Sequence, residues 1–130
     1  MTTSAFETKT AQKVLIVEDE GEMCLVLNIL LNDEDFELEN VKNLSLARES
    51  LSKNQPSLVI LDNKLPDGYG IDFISFIKKN YPSIKIIMIT GFDAAAKDVA
   101  LENGADSFLE KPFTKQQLFE SIKTLLKQES

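Results

Sequence analysis

Two apolar segments of this sequence lead directly to acidic side chains. Leu58–Leu61, four large aliphatic residues in a row, is followed at once by Asp62. Val14–Val17 leads in the same way to the acidic triplet Glu18–Glu20, whose middle residue is Asp19. Carboxylate oxygens are the ligands that hard divalent cations prefer in proteins. These carboxylates are therefore candidates for a cation site.

Two further apolar segments end at a hydroxyl and an ammonium group. Ile84–Ile89 ends at Thr90, and Phe108-Leu109 is followed by Glu110 and Lys111. Short aliphatic segments are typical of strands buried on both faces of a parallel sheet, and open sheets of this kind bind ligands at the carboxyl ends of their strands. The sequence thus predicts three carboxylates, a hydroxyl and an ammonium at one edge of one sheet. Together these groups can handle a cation and a phosphoryl group.

The elements that must position these groups follow from the spacing of apolar residues. We predict strands at 13–17, 36–41, 57–62, 84–89 and 105–109, and helices at 20–32, 44–53, 71–80, 94–103 and 114–127. Asn43 and Asp93 are predicted helix N-caps, and Gly104 is a predicted C-terminal glycine. The alternation predicts an α/β fold, a doubly wound three-layer sandwich. Residues 1–12 have no sustained period and are predicted to be a flexible leader to a single domain, 13–127.

Composition restricts the classes of function. The net charge of −7 disfavours binding to nucleic acid or to an anionic membrane surface, and no apolar stretch approaches the roughly 20 residues that span a bilayer. The single cysteine, Cys24, cannot form an intrachain disulfide, so we predict a reducing, cytoplasmic location. The chain has no histidine, which excludes catalysis by its own histidines and histidine metal ligands.

In their order and spacing the motifs resemble the receiver domain of bacterial response regulators, over about residues 13–126. The matching positions are the acidic pair Glu18-Asp19, the pattern Asp-x-x-x-Pro-x-x-x-Gly at Asp62, Pro66 and Gly70, the hydroxyl of Thr90, and the pair Lys111-Pro112. The resemblance implies a flavodoxin-like, five-stranded parallel sheet of order 2-1-3-4-5.

The resemblance also implies roles for individual residues. Asp62 is the expected phosphoacceptor, with Lys111 and Thr90 in contact with the transferred group. Three carboxylates a few ångströms apart repel by about 4 kcal/mol per pair at an effective dielectric near 20. Such a cluster holds either protons or a cation, and Mg²⁺ is the cation that fits these oxygen ligands. The expected magnesium ligands are Asp19, Asp62, Glu18 through water, and the backbone carbonyl of Lys64. Thr90 and Phe108 are the expected switch residues, although Phe108 could also be an ordinary core residue.

The resemblance implies a two-component or phosphorelay signalling protein rather than a classical enzyme. Its expected partners are a histidine kinase or a histidine phosphotransfer protein, and a downstream output protein, with no direct contact to nucleic acid or membrane. Gln116, Gln117 and Ser121 stand where dimerising members carry paired charges, so we expect a monomer or weak dimer.

The first helix has a predicted core stripe of Met23, Val26, Leu27 and Leu30. It carries Cys24, Leu25 and Leu31 beyond that stripe. These three residues suit either docking of the phosphoryl donor, as in the family, or packing within this chain.

Two other functions compete with this interpretation. A pseudo-receiver would keep the fold without phosphorylation, but the presence of Asp19, Asp62, Thr90 and Lys111 disfavours it. A hydrolase with an aspartate nucleophile would need an Asp-x-Asp pair after the first strand, which Glu18–Glu20 does not supply.

Overall fold

The structure, a computed structural model, describes residues 12–32, 36–91 and 94–126. Within these ranges the strands of the main sheet are Gln12–Val17 (β1), Phe36–Val41 (β2), Leu58–Asp62 (β3), Lys85–Thr90 (β4) and Ser107–Glu110 (β5). The helices are Gly21–Leu31 (α1), Leu44–Lys53 (α2), Gly70–Asn80 (α3), Ala94–Glu102 (α4) and Lys115–Leu125 (α5). The predicted elements are therefore confirmed, with ends that differ by up to two residues.

Two predictions concern residues at or beyond the limits of the described ranges. Gln12, which we assigned to the leader, is the first residue of β1. The rest of the predicted leader and the predicted cap Asp93 lie outside the described residues.

The five strands form one parallel sheet in the order β2-β1-β3-β4-β5, as expected. Each strand buries alternate residues on opposite faces, because successive side chains of a strand point to opposite sides. Leu15, Val59 and Met88 lie on the face covered by α2, α3 and α4. Val14, Ile60 and Ile87 lie on the face covered by α1 and α5. The result is the three-layer sandwich, with the carboxyl ends of all five strands at one edge.

Helix α1 differs from the prediction in which of its apolar residues face the sheet. Leu27 and Leu31 are fully buried, so the prediction that Leu31 lies beyond the core stripe is wrong. Val26, predicted to face the core, is exposed, as are Leu25 and Ile29. The helix is apolar on nearly every side, so the spacing alone could not fix its rotation about its axis.

Local signals at the ends of helices behave as predicted where they are described. The Asn43 side chain accepts a hydrogen bond from the Leu46 amide and caps α2. Gly104 has φ +115°, and Ala105 donates to the Ala100 carbonyl, which ends α4 in a Schellman motif. At α5, Gln117 forms a capping box with Thr114.

A small antiparallel hairpin, which the sequence did not predict, follows β3. Its two strands are Lys64–Leu65 and Gly68–Tyr69, joined by Pro66 and Asp67. We call residues 64–69 the β3–α3 hairpin. It leads directly into α3 at Gly70. In the described part of the chain, no helix has both the length and the apolar character needed to cross a bilayer.

Candidate functional site

The predicted site residues come together where the strands of the main sheet end. Asp62 and Thr90 are the last residues of β3 and β4, and Glu18 follows β1 directly. The Glu18 amide donates to the Val41 carbonyl, and the Lys111 amide donates to the Thr90 carbonyl, at 3.1 and 2.8 Å. These backbone bonds fix the loops after β1 and β5 to neighbouring strands, so both side chains face the same space.

One open cavity of about 660 Å³ is lined by all the residues predicted to act at this edge. The lining residues include Glu18, Asp19, Asp62, Lys64, Thr90 and Lys111, and also Glu20, Asn63 and Gly91. We call this set the carboxyl edge. Asp62, Glu18 and Thr90 are buried, whereas Asp19 is exposed. The site is thus open to solvent at its mouth and lined by buried residues at its base.

The Lys111 ammonium group lies close to three carboxylates. Its Nζ lies 3.2 Å from Asp62 Oδ1, 3.6 Å from Glu18 Oε1 and 3.7 Å from Glu20 Oε1. Only the Asp62 contact is a hydrogen bond. Within these ion pairs one positive charge therefore faces three carboxylates, and Asp19 adds a fourth carboxylate to the cavity. Lys64, which is exposed, is the second cation that lines the cavity.

Burial changes the proton affinities of the charged groups in this cavity. Burial, followed by repulsion from Asp62, raises the pKa of Glu18 from 4.5 to about 7. Burial also raises the pKa of Asp62, although Lys111 partly opposes the shift. Burial disfavours the ammonium form of Lys111, but the attraction of Asp62 and Glu18 outweighs this and raises its pKa. Both acids therefore hold a proton more tightly than a free carboxyl group does, chiefly because burial removes their charged forms from water.

The donor set fits a hard divalent cation. Glu18, Asp19 and Asp62 each offer a carboxylate oxygen, and these oxygens lie within 4.8 Å of one another. All are hard ligands, the exposed Asp19 is accessible to solvent, and a cation would compete with the proton that burial favours on Glu18. The chemistry of these residues therefore suits Mg²⁺.

A glycine after the hairpin permits close packing against the backbone of Asp62. A Cβ atom at Gly70 would collide with the Asp62 carbonyl oxygen and would lie 3.0 Å from Leu61 Cγ. The Gly70 amide also donates to the Asn63 carbonyl at 2.7 Å. The Asp-x-x-x-Pro-x-x-x-Gly spacing thus has a physical reason, because any larger residue at the end of the pattern would displace β3 from α3.

Sequence reasoning missed two residues that organise the site. The Asn63 side chain is buried and accepts a hydrogen bond from the Ile71 amide, which ties the residue after Asp62 to the start of α3. Glu20 reaches Lys111, and its amide donates to the Glu18 carboxylate at 3.1 Å. An acidic triplet was visible in the sequence, but nothing in it assigned the third acid to the lysine.

Phe108 lies outside this cavity. It is half-buried on the α3–α4 side of the sheet and pairs in register with Met88. It lines an adjoining cavity of about 480 Å³, beside Pro112 and Gln117, which shares Lys111 with the main cavity. Thr90, at the end of the adjacent strand, lines the main cavity. The two predicted switch residues therefore border different spaces at the ends of adjacent strands.

A parallel five-stranded sheet with an acidic group, a hydroxyl and a lysine at its carboxyl edge defines a class of phosphoryl-handling signalling domain. The chain matches the family model described as response regulator receiver domain over residues 14–123 and belongs to that family. It is thus a receiver domain of a response regulator in two-component signalling. Receiver domains generally bind Mg²⁺ at a group of acidic residues, and this chain has such a group.

Named relatives agree with this assignment. The chain is 34% identical to response regulator protein PilR of Pseudomonas aeruginosa, covering 89% of this chain and 26% of that protein. It is 33% identical to transcriptional regulatory protein BasR of Escherichia coli, covering 88% and 52% of the two. The chain therefore spans only a quarter to a half of these relatives' length.

A solved structure is similar over nearly its whole length. The beryllofluoride-activated NtrC4 receiver domain dimer matches with a TM-score of 0.84 and 34% identity, covering 91% of this chain and 98% of that one.

Proposed function

We propose that Asp62 accepts a phosphoryl group from a phosphohistidine, carried by a histidine kinase or a histidine phosphotransfer protein. The observation that carries the proposal is the joint placement of a buried Asp62, the Lys111 ammonium at 3.2 Å and the acidic group within one cavity. Membership of the receiver family supports it.

In the proposed step an Asp62 carboxylate oxygen attacks phosphorus and forms a P–O bond. The P–N bond to the donor histidine breaks, and its electron pair stays on the imidazole nitrogen. Lys111 stabilises the charge on the phosphoryl oxygens, and the Thr90 hydroxyl donates to one of them. Asp19, Asp62, Glu18 through water and the Lys64 carbonyl would hold Mg²⁺, which would supply further charge neutralisation. The product is an aspartyl phosphate that water can later hydrolyse.

We further propose that phosphorylation acts on partners through Thr90 and Phe108. Thr90 borders the phosphorylation cavity, and Phe108 borders the neighbouring cavity on the next strand. A movement of Thr90 toward the new phosphoryl group would leave space into which the Phe108 ring can turn. The surface around β5 would then differ between the two states, and an output protein could distinguish them. We expect a monomer or weak dimer.

Intact mass spectrometry tests the acceptor. The protein is incubated with Mg²⁺ and either acetyl phosphate or a phosphorylated histidine phosphotransfer protein, alongside Asp62→Asn and Asp106→Asn. We expect one added phosphoryl group in the wild type and in Asp106→Asn, and none in Asp62→Asn. An adduct that persists in Asp62→Asn would place the acceptor elsewhere, and no adduct from either donor would favour a pseudo-receiver.

A phosphoryl mimic tests the switch separately. The similar NtrC4 receiver domain dimer is activated by beryllofluoride, so the same compound is the mimic of choice here. It should shift the NMR signals of Thr90 and Phe108 in the wild type and not in Asp62→Asn. Shifts confined to the loops that line the cavity would contradict a role for Phe108.

A further inference from the structure

The tip of the β3–α3 hairpin is tied to the start of helix α2. The Asp67 carboxylate accepts hydrogen bonds from the backbone amides of Leu44 and Ser45, at 2.8 and 3.0 Å. The helix also has its own cap, since Asn43 accepts from the Leu46 amide at 2.8 Å. Two side chains therefore satisfy three of the amides that the first turn of a helix leaves without partners, and one of them comes from a distant part of the chain.

The contact between hairpin and helix is tight as well as polar. Gly68 has φ +151°, and a Cβ atom there would lie 3.0 Å from Leu44 Cδ1. Leu65, on the other strand of the hairpin, is buried in the core under α2 and α3. Hydrogen bonds from the Leu44 and Ser45 amides hold the pKa of Asp67 below its usual range, so the carboxylate stays charged near neutral pH. A negative charge is favourable at a helix N-terminus.

The same hairpin carries part of the phosphorylation site. Lys64 pairs with Tyr69 across the hairpin, and Asn63 and Lys64 both line the main cavity. The position of the Lys64 carbonyl therefore depends on where the hairpin sits. Asp62 lies two residues earlier on the same continuous segment. Mg²⁺ requires near-ideal octahedral geometry and tolerates little displacement of a ligand.

We propose that Asp67 is a positioning residue, which anchors the β3–α3 hairpin on α2 and so holds the Lys64 carbonyl where Mg²⁺ can bind it. The inference rests on the proposed function for the identity of that ligand. Asp67 itself lines a different groove, with Ser45, Arg48 and Phe76, and does not border the main cavity. Its effect on the cation is therefore indirect.

The proposal has a reciprocal consequence. If the anchor favours Mg²⁺ binding, then Mg²⁺ binding must strengthen the anchor by the same factor, because coupling between two sites is symmetric. In the wild type, the Leu44 and Ser45 amides should therefore exchange with solvent more slowly when Mg²⁺ is bound. The Leu46 amide, which Asn43 caps, should change less.

The decisive comparison is between Asp67→Ala and Asn43→Ala in the full chain, with Asp67→Asn as a conservative variant. Both alanine substitutions remove a cap from the same helix, so both should lower its stability. Only Asp67→Ala releases the hairpin. We expect its Mg²⁺ dissociation constant to rise about 10-fold, as for other residues that orient metal ligands, whereas Asn43→Ala should stay within about 2-fold of the wild type. Asp67→Asn, which keeps an acceptor, should lie between them.

Magnesium titration followed by NMR, at a temperature where all variants are folded, gives these constants. Equal Mg²⁺ affinity in wild type and Asp67→Ala would mean that Asp67 is only a helix cap. Equal losses of Mg²⁺ affinity in Asp67→Ala and Asn43→Ala would mean that the stability of α2 causes the effect. Either result overturns the proposal. Wild type that binds Mg²⁺ without becoming phosphorylated at Asp62 would refute the proposed function and leave the Asp67 comparison intact. Wild type without Mg²⁺ binding would refute both.

Discussion

Charges are paired one to one at the amino ends of the strands of the main sheet, but not at their carboxyl ends. At the amino ends of β4 and β5, which we call the amino edge, Lys78 Nζ lies 2.8 Å from the Asp106 carboxylate. Lys78 also donates to the Ile84 carbonyl, and Asp106 accepts from the Ile86 amide. One ammonium meets one carboxylate, and each also bonds the backbone. At the carboxyl edge, one ammonium meets three carboxylates at 3.2 to 3.7 Å.

The Lys78–Asp106 pair therefore stabilises the fold, whereas the charged side chains of the carboxyl edge are available to bind a ligand. The charges of Lys78 and Asp106 neutralise each other at the amino edge, so a charged ligand would bind there only weakly. The carboxyl edge retains excess negative charge, and the pKa of both Glu18 and Asp62 is raised. Repulsion within such a group lowers the free energy of unfolding of the cation-free protein. A bound cation removes this repulsion and stabilises the folded state. The contrast can be tested by changing equivalent residues at the two edges.

The largest expected effect is on the pH dependence of stability. The pKa of Glu18 is about 7 in the folded protein against 4.5 for the free side chain, so the folded state holds a proton that the unfolded state has lost between these values. The stabilisation from this proton is complete below about pH 4.5 and disappears as pH rises through 7. We expect the free energy of unfolding without Mg²⁺ to fall by on the order of 3 kcal/mol over this range.

Urea unfolding between about pH 5 and 8 measures this trend. Glu18→Gln should remove most of the slope, whereas Asp106→Asn, at the amino edge, should leave it in place. Saturating Mg²⁺ should stabilise the wild type more at the alkaline end of this range than at the acid end, because it competes with the proton. A slope that survives in Glu18→Gln would show that a group other than Glu18 takes up the proton on folding.

The next largest effect is on the free energy of unfolding, which should change in opposite directions in Asp106→Asn and Asp62→Asn. Asp106→Asn leaves Lys78 without its charged partner and should cost about 1 to 3 kcal/mol. Asp62→Asn removes a desolvated carboxylate from a group with several negative charges and should stabilise the Mg²⁺-free protein, because a neutral amide costs less free energy to bury than a carboxylate. Urea unfolding of both variants slightly above neutral pH, in chelator, gives the two values. Destabilisation of similar size in both would mean that Lys111 balances the carboxyl edge after all.

The sequence predicted most of this architecture because the strong signals are local. Aliphatic segments that end at Asp62, Thr90 and Lys111 marked both the strands and the edge at which they end. Once parallel pairing is assumed, the site follows from the strand ends, and the structure brings these side chains to one cavity. The rotation of α1 was not predictable, because Val26 and Leu31 are both apolar and only tertiary packing distinguishes them.

Contacts between residues far apart in the chain could not be predicted, because they leave no pattern in the sequence. The anchor from Asp67 to the Leu44 amide joins a side chain to a backbone group 23 residues away. Neither periodicity nor composition records such a bond. In the sequence Asp67 is an ordinary turn residue beside Pro66 and Gly68, and its role becomes visible only when the hairpin is seen against α2.

The smallest expected effect comes from one glycine at each edge. Gly104, at the amino edge, has φ +115°, and a Cβ atom there would lie 2.9 Å from Lys78 Cγ. Gly21, which follows the acidic triplet at the carboxyl edge, would place a Cβ in open space. Gly104→Ala should therefore cost about 1 kcal/mol, while Gly21→Ala should gain about 0.5 kcal/mol, because alanine favours the helix and restricts the unfolded chain.

Thermal or urea unfolding of both glycine variants, with Mg²⁺ titration of each, measures this last difference. Neither substitution changes a charge, so both should bind Mg²⁺ like the wild type. A loss of Mg²⁺ affinity in Gly104→Ala would show that the amino edge is coupled to the site through β4 and β5. The edges would then not be independent, and the separation between a stabilising pair and a binding group would have to be abandoned.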